Sequence, residues 1–213
     1  MKKLIYLLSS LCLIISVFSC SDKDNDIALD DVVKIKTDFG NIYLWLFDET
    51  PLHKANFIEL AESGFYDSVS FHRVVNDFMI QGGDPNSKDT DPSNDGFGGP
   101  GYTIDAEIDS SLLIHNYGAL GAARIGDDFN PDRKSSGSQF YIVDNVDGAH
   151  HLDGDYTVFG VVIKGLDIVD EISVQPVNIE SGHKPLEKIM MEVEILDSWK
   201  IDRDRFEMIS NMK

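Results

Sequence analysis

The sequence predicts a mainly β domain, an antiparallel barrel plugged by two helices, and three observations predict it. Short apolar runs recur between turn residues from Val32 to Trp199. Only two stretches carry helical spacing. The run from Ile42 to Phe47 is apolar on both faces, Ile42, Leu44 and Leu46 on one and Tyr43, Trp45 and Phe47 on the other, so this strand is covered on both sides. Closing such a sheet removes its exposed edges.

The elements follow in order. Val33 and Ile35, then Ile42, Leu44 and Leu46, flank the turn Asp38, Phe39, Gly40, Asn41 and read as a hairpin. Thr50 before Pro51 is an N-cap and first-turn pair, and Phe57, Ile58, Leu60 and Ala61 give a broad apolar face that Gly64 ends. The runs 69–74, 79–82, 118–123, 139–143, 157–163 and 189–196 are further strands. Between the last two, Leu166 to Ile172 has helical spacing after Gly165. Residues 200–213 lie beyond the last strand as a frayed tail or a short amphipathic helix.

The chain has 213 residues, enough for one domain with its own core. Residues 1–19 read as a targeting segment: Lys2 and Lys3 precede an apolar stretch, Leu4 to Phe18, too short to span a bilayer comfortably. It ends Val17, Phe18, Ser19, Cys20, which resembles a bacterial lipoprotein lipobox, with Cys20 as the lipidated first residue. A plain secretory signal with an incidental cysteine is the alternative. Cys12 lies inside the leader, so the mature chain carries no free thiol and no disulfide. Residues 20–31 are polar and acidic, as a tether would be. Their start resembles the acidic export tags of some Gram-negative surface lipoproteins, which points to the cell envelope and the outer membrane, with the side undecided. The formal charge of −19 becomes −21 once Lys2 and Lys3 leave with a segment that holds no acidic residue. Such a surface repels phosphate backbones, so no nucleic-acid partner is expected.

The chemistry sits in one run, Phe71, His72, Arg73, Val74, Val75, Asn76, Asp77, Phe78, Met79, Ile80, Gln81, Gly82, Gly83, Asp84, followed by Gly137, Ser138, Gln139, Phe140, Tyr141. It offers an obligate cation beside apolar and amide side chains, with no nucleophile and no metal-ligand set. That composition suits catalysis by positioning. A prolyl amide rotates slowly because resonance stiffens its C–N bond, with a barrier of roughly 20 kcal/mol. A guanidinium cannot deprotonate, and its fork holds a carbonyl oxygen while one donor faces the nitrogen lone pair freed by twisting. Acceleration by about a million-fold needs roughly 8 kcal/mol of preference for the twisted state.

Together the two blocks resemble the cyclophilin family of peptidyl-prolyl isomerases. The resemblance covers residues 32–199 and implies a closed, eight-stranded antiparallel barrel filled with side chains, with an α-helix at each open end. It implies Arg73 as the catalytic residue and assigns Phe78, Met79, Tyr141 and Leu152 to the proline pocket. Gln81 and Gln139 match positions that orient the arginine and the substrate backbone, and Ala123 and Arg124 match the strand edge that holds the residue before proline by main-chain bonds. Arg124 stands where Asn is more usual, which main-chain binding tolerates. His151 falls where many cyclophilins have Trp, so cyclosporin binding should be weak, and Tyr141 and Tyr156 depart from the better-known Phe and His. The implied partners are proline-containing polypeptides outside the cytoplasm, and no cofactor is implied.

Other motifs carry less. His72, beside Arg73, has a structural counterpart in the family. His150 and His151 are adjacent, so extended backbone would turn their side chains apart, against a shared metal. Asp89, Asp91, Ser93 and Asp95 are spaced like the start of a calcium loop, but Asn94 stands where Gly is needed and Pro100 where a bidentate Glu is needed. The loop 127–136 is longer than most cyclophilins carry. Two rivals remain at this point: a module that holds proline segments without turnover, and a scaffold of an envelope complex.

Overall fold

The computed structural model describes residues 26–211, so the expectations for the leader, Cys20 and the first part of the tether lie outside the described residues. Nine strands form one sheet, in spatial order Val69–Ser70, Met190–Leu196, Val32–Thr37, Gly40–Leu46, Val158–Lys164, Ala119–Ala122, Phe140–Val143, Met79–Gly82 and Arg73–Val75. Every neighbouring pair is antiparallel. Among the described residues the expected mainly β architecture is present as a curled nine-stranded sheet, a half-barrel, with three helices, in place of a closed eight-stranded barrel with two. The extra strand arises because the run 69–74 breaks at Phe71 and His72. Its first part pairs with Met190 and Met191, and its second with Met79 to Gln81. Both edges of the sheet therefore belong to one chain segment, so the sheet curls back on itself.

The first helix, α1 (Pro51–Glu62), starts where Pro51 fits without a lost hydrogen bond, because first-turn N–H groups have no intrahelical acceptor. Thr50 occupies the N-cap position but does not cap: its hydroxyl donates to the Phe47 carbonyl. The Glu107 carboxylate takes that place, accepting from the N–H groups of Leu52 and His53 at 3.0 Å each and lying 2.6 Å from His53 Nδ1. Phe57 of α1 stacks on Tyr66 at 4.9 Å and meets Phe140 edge-on at 5.4 Å, locking the helix to the concave side of the sheet. The second helix, α2 (Leu166–Ser173), buries Val169 and Ile172 in the same core.

The outer face of Gly40–Leu46 is covered as its two-sided apolar pattern requires. Trp199 packs on Tyr43 at 4.5 Å and Phe206 on Trp45 at 5.3 Å. They come from a strand, Trp199–Asp202, and a third helix, α3 (Arg203–Ser210), whose first N–H groups bond the Asp202 carboxylate. Of the expected tail, residues 200–202 belong to that strand and Arg203–Ser210 to that helix. Residues 26–29, read as polar tether, form the strand Asp26–Leu29 and pair with Trp199–Asp202. Alternation explains it: Ile27 and Leu29 join the outer cluster while Asp26 faces water.

Candidate active site

Strand register builds the site. Arg73 lies directly opposite Gln81, Gln81 opposite Tyr141, and Tyr141 opposite Gly121. Residues directly opposite share a face, so four strands present one row of side chains, and Met79, two residues before Gln81, joins the same face. Gly121 ends the row for a steric reason: a Cβ there would lie 2.3 Å from Tyr141 Cζ, so only glycine leaves room for the phenol ring.

The row opens into a slot of about 130 Å³ lined by Arg73, Phe78, Met79, Gln81, Ala123, Arg124, Tyr141, Leu152 and Tyr156. These are nine of the eleven residues named for catalysis and substrate binding. The other two stand beside it. Gln139 lies behind Gln81, and His151 is exposed with its ring tilted against Phe78 at 5.3 Å.

Arg73 is half-buried and oriented by a chain of amides. Gln139 Nε2 donates to the carbonyls of Gly96 and Gly98, at 3.0 and 2.8 Å, which fixes which way its amide points. Its Oε1 then accepts from Gln81 Nε2 at 3.1 Å, leaving Gln81 Oε1 to accept from the Arg73 guanidinium at 3.3 Å. The guanidinium also lies 3.8 Å from Met79 Sδ and 5.9 Å from the Phe78 ring centre. Among the described residues it makes no ion pair. Burial pulls its pKa down, partly opposed by Tyr156, but a guanidinium remains a cation at any working pH. A cation held by a neutral amide keeps donors free for a ligand.

Arg124 forms the opposite wall, its guanidinium 4.5 Å from the Tyr156 ring centre and its Nε donating to the Asp155 carbonyl at 2.8 Å. Of the two residues expected at the strand edge, Ala123 has its main chain engaged within the fold. Its N–H donates to the Gln139 carbonyl and its C=O accepts from Ser136 N–H, at 3.0 and 2.7 Å, so the fold takes its one donor and one lone pair of its acceptor. The Arg124 N–H and C=O enter no hydrogen bond among the described residues, so the open edge is one residue long.

The floor contains a contact that the sequence reading missed. Tyr141 Oη lies 2.8 Å from Nε2 of the fully buried His115, whose Nδ1 lies 2.7 Å from Asp153 Oδ1. Asp153 also accepts the His115 backbone N–H at 2.8 Å. Burial lowers the pKa of His115 against the pull of Asp153, so the imidazole is neutral. Burial pushes Asp153 up, but its bonds from His115 and His150 outweigh that and hold it below the usual range. His115 and Asp153 are 38 residues apart, and no local spacing advertises the pair.

His72 faces away from the slot. It is buried with its pKa pushed down to about 4, chiefly by burial, which suits a neutral structural imidazole. His150 turns to Asp153 and His151 to Phe78, so the two rings diverge. The acidic loop after Asp84 is tied down by that carboxylate, which accepts from the N–H groups of Asn86, Gly96 and Gly98. Lys184 and Lys188 hold it from outside through the carbonyls of Pro92, Ser87 and Asp89.

Residues 32–195 match the profile of the family described as cyclophilin type peptidyl-prolyl cis-trans isomerase/CLD. The chain belongs to the cyclophilin family. It is a peptidyl-prolyl cis-trans isomerase. It is 38% identical over 153 residues to a peptidyl-prolyl cis-trans isomerase of Helicobacter pylori, covering 70% of this chain and 85% of that one. With peptidyl-prolyl cis-trans isomerase B of Bacillus subtilis it shares 43% identity over 119 residues, 56% of this chain and 73% of the relative. A crystal structure of a cyclophilin-type isomerase from Cryptosporidium parvum superposes with a TM-score of 0.67 at 30% identity, covering 78% of this chain and 98% of the other. The same parasite protein was also solved in the presence of the dipeptide Ala-Pro, with a TM-score of 0.66.

Proposed function

We propose that this isomerase turns X-Pro bonds in extracytoplasmic polypeptides, with Arg73 as its catalytic residue. The observation that carries the reading is a guanidinium without a carboxylate partner among the described residues, bonded to Gln81 at the small slot that Phe78, Met79, Tyr141 and Leu152 help to line. The pyrrolidine ring sits between Phe78, Met79, Tyr141 and Leu152, which hold it still while the preceding residue rotates. The open main chain of Arg124 holds that segment of the client in extended form. Arg73 donates to the prolyl carbonyl oxygen, and a second donor meets the nitrogen lone pair that appears as planarity is lost. The planar ground state has no such lone pair to offer, so this contact favours the twisted state selectively. Gln139 acts through Gln81 as a positioning residue, because its amide is fully committed to Gly96, Gly98 and Gln81. Exchange spectroscopy on a prolyl tetrapeptide tests this: wild type shortens the cis-trans exchange time and Arg73→Ala does not.

The reading extends to location and inhibitor response. Lipidation at Cys20 would anchor the enzyme to the outer membrane, supported by the leader and the sequence around it. Only residues 21–25 then separate the anchor from the strand Asp26–Leu29, which keeps the domain close to the bilayer. Metabolic labelling with an alkyne fatty acid tests this, with Cys20→Ala as the unlabelled control, and protease shaving of intact cells reports the side. His151 supplies no indole, so cyclosporin should bind weakly. Titration calorimetry against His151→Trp checks that, with tighter binding expected for the variant.

A further inference from the structure

We infer that His115, held by Asp153, is a positioning residue that fixes the Tyr141 hydroxyl and with it the floor of the prolyl slot. The inference rests on Tyr141 being that floor. Asp153 Oδ1 faces both the backbone N–H and the Nδ1 of His115, at 2.8 and 2.7 Å. A carboxylate only accepts, so the ring proton of the neutral imidazole resides on Nδ1. Nε2 is thereby left as an acceptor, 2.8 Å from Tyr141 Oη, and the phenol donates to it. The hydroxyl proton thus points away from the slot, and the oxygen turns lone pairs toward it.

Packing leaves the ring no second position. His115 lies nearly parallel to Tyr141, with planes 11° apart and centres 6.0 Å apart. Tyr156 meets Tyr141 at 82° with centres 6.1 Å apart. On the remaining side the ring fills the space over Gly121. Tyr141 and His115 are both buried, so the bond between them is shielded from competing water. The device needs four separated residues, Gly121 for room, Tyr141 for the hydroxyl, His115 for the acceptor and Asp153 for the tautomer. None of the four transfers a proton during turnover. Their contribution is a slot whose shape is set before the client arrives, which spares the ordering cost at binding.

A double-mutant cycle on the full domain separates positioning from mere stability. His115→Gln should lower kcat/KM for a prolyl tetrapeptide by about three- to tenfold, the worth of one buried hydrogen bond. In a Tyr141→Phe background the same substitution should change kcat/KM by less than about twofold, because the hydroxyl it acts through is gone. The loss of melting temperature should persist in both backgrounds, since His115 is buried in either. Asp153→Asn serves as the second arm if His115→Gln does not fold, with the same pattern expected. Equal losses of kcat/KM in both backgrounds, or no loss in the wild-type background, would overturn the inference. Peptide-induced NMR shifts that bypass Tyr141 would overturn the slot reading itself. Shifts centred on Tyr141 with equal losses in both backgrounds would overturn the relay alone.

Discussion

Replacing Arg73 with alanine separates catalysis from stability, because the structure assigns the side chain little to do for the fold. Its hydrogen bond to Gln81 is 3.3 Å long, it makes no ion pair among the described residues, and it is half-buried at the sheet edge. Removing it should cost at most about 1 kcal/mol, the net worth of one such bond, or about 2–4 °C in Tm for a chain of this size. The catalytic loss is larger. Two charge-assisted donors, one to the prolyl oxygen and one to its nitrogen, are worth about 1.5–3 kcal/mol each. Losing both should lower kcat/KM by about two to four decades. Arg73→Lys keeps the charge but loses the fork, and should still lose more than about tenfold. Two-dimensional exchange NMR gives the rate, and differential scanning calorimetry on the same samples gives the melting point. Turnover retained within about threefold would refute the assignment. A collapse of melting by more than about 10 °C would show that Arg73 is structural.

Other perturbations follow from single contacts. Gly121→Ala places a methyl 2.3 Å from Tyr141 Cζ; overpacking of this kind costs about 1–3 kcal/mol, and peptide affinity measured by NMR titration should weaken because the floor must move. Glu107→Ala leaves the N–H groups of Leu52 and His53 and the His53 ring without their acceptor, so urea unfolding should show a loss of about 1–3 kcal/mol, with isomerase rates unchanged because α1 does not line the slot. The folded pKa of His72 is about 4 against 6.5 unfolded. Above pH 6.5 both states are neutral; as pH falls toward 4 the unfolded chain takes up the proton first, so stability drops by about 3 kcal/mol between pH 7 and pH 4. His53 and His115 push in the same direction. Urea titrations of wild type and His72→Gln across that range check the slope, which should flatten by the His72 share.

Most of the site was legible because its residues lie in two dense runs. Arg73, Phe78, Met79 and Gln81 fall within nine residues, and a strand with that alternation places Met79 and Gln81 on one face without further information. What the sequence hid was long-range register. Gly121 sits in a small-residue run, and its need to be glycine depends on a ring twenty residues away in the next strand. His115 and Asp153 meet only after the chain has crossed the sheet, and a lone histidine before a turn has no pattern to distinguish it. The bond from Ser136 to the Ala123 carbonyl is equally hidden, because Ser136 comes from the long loop 127–136, whose path no propensity reveals. The same limit explains the edges of the domain. Ile27 and Leu29 are two apolar residues among acids, and only the two-sided apolar face of Gly40–Leu46 makes their strand necessary. The broken run at Phe71 and His72 reads as one strand until its halves are seen to pair with different partners.

The most direct test is a crystal structure of the domain with a bound X-Ala-Pro-X peptide. The account predicts the pyrrolidine among Phe78, Met79, Tyr141 and Leu152, the Arg73 guanidinium within hydrogen-bond distance of the prolyl carbonyl, and main-chain bonds to Arg124. A prolyl ring bound away from that slot, or an Arg73 turned from the ligand in a protein that still isomerises it, would contradict the account.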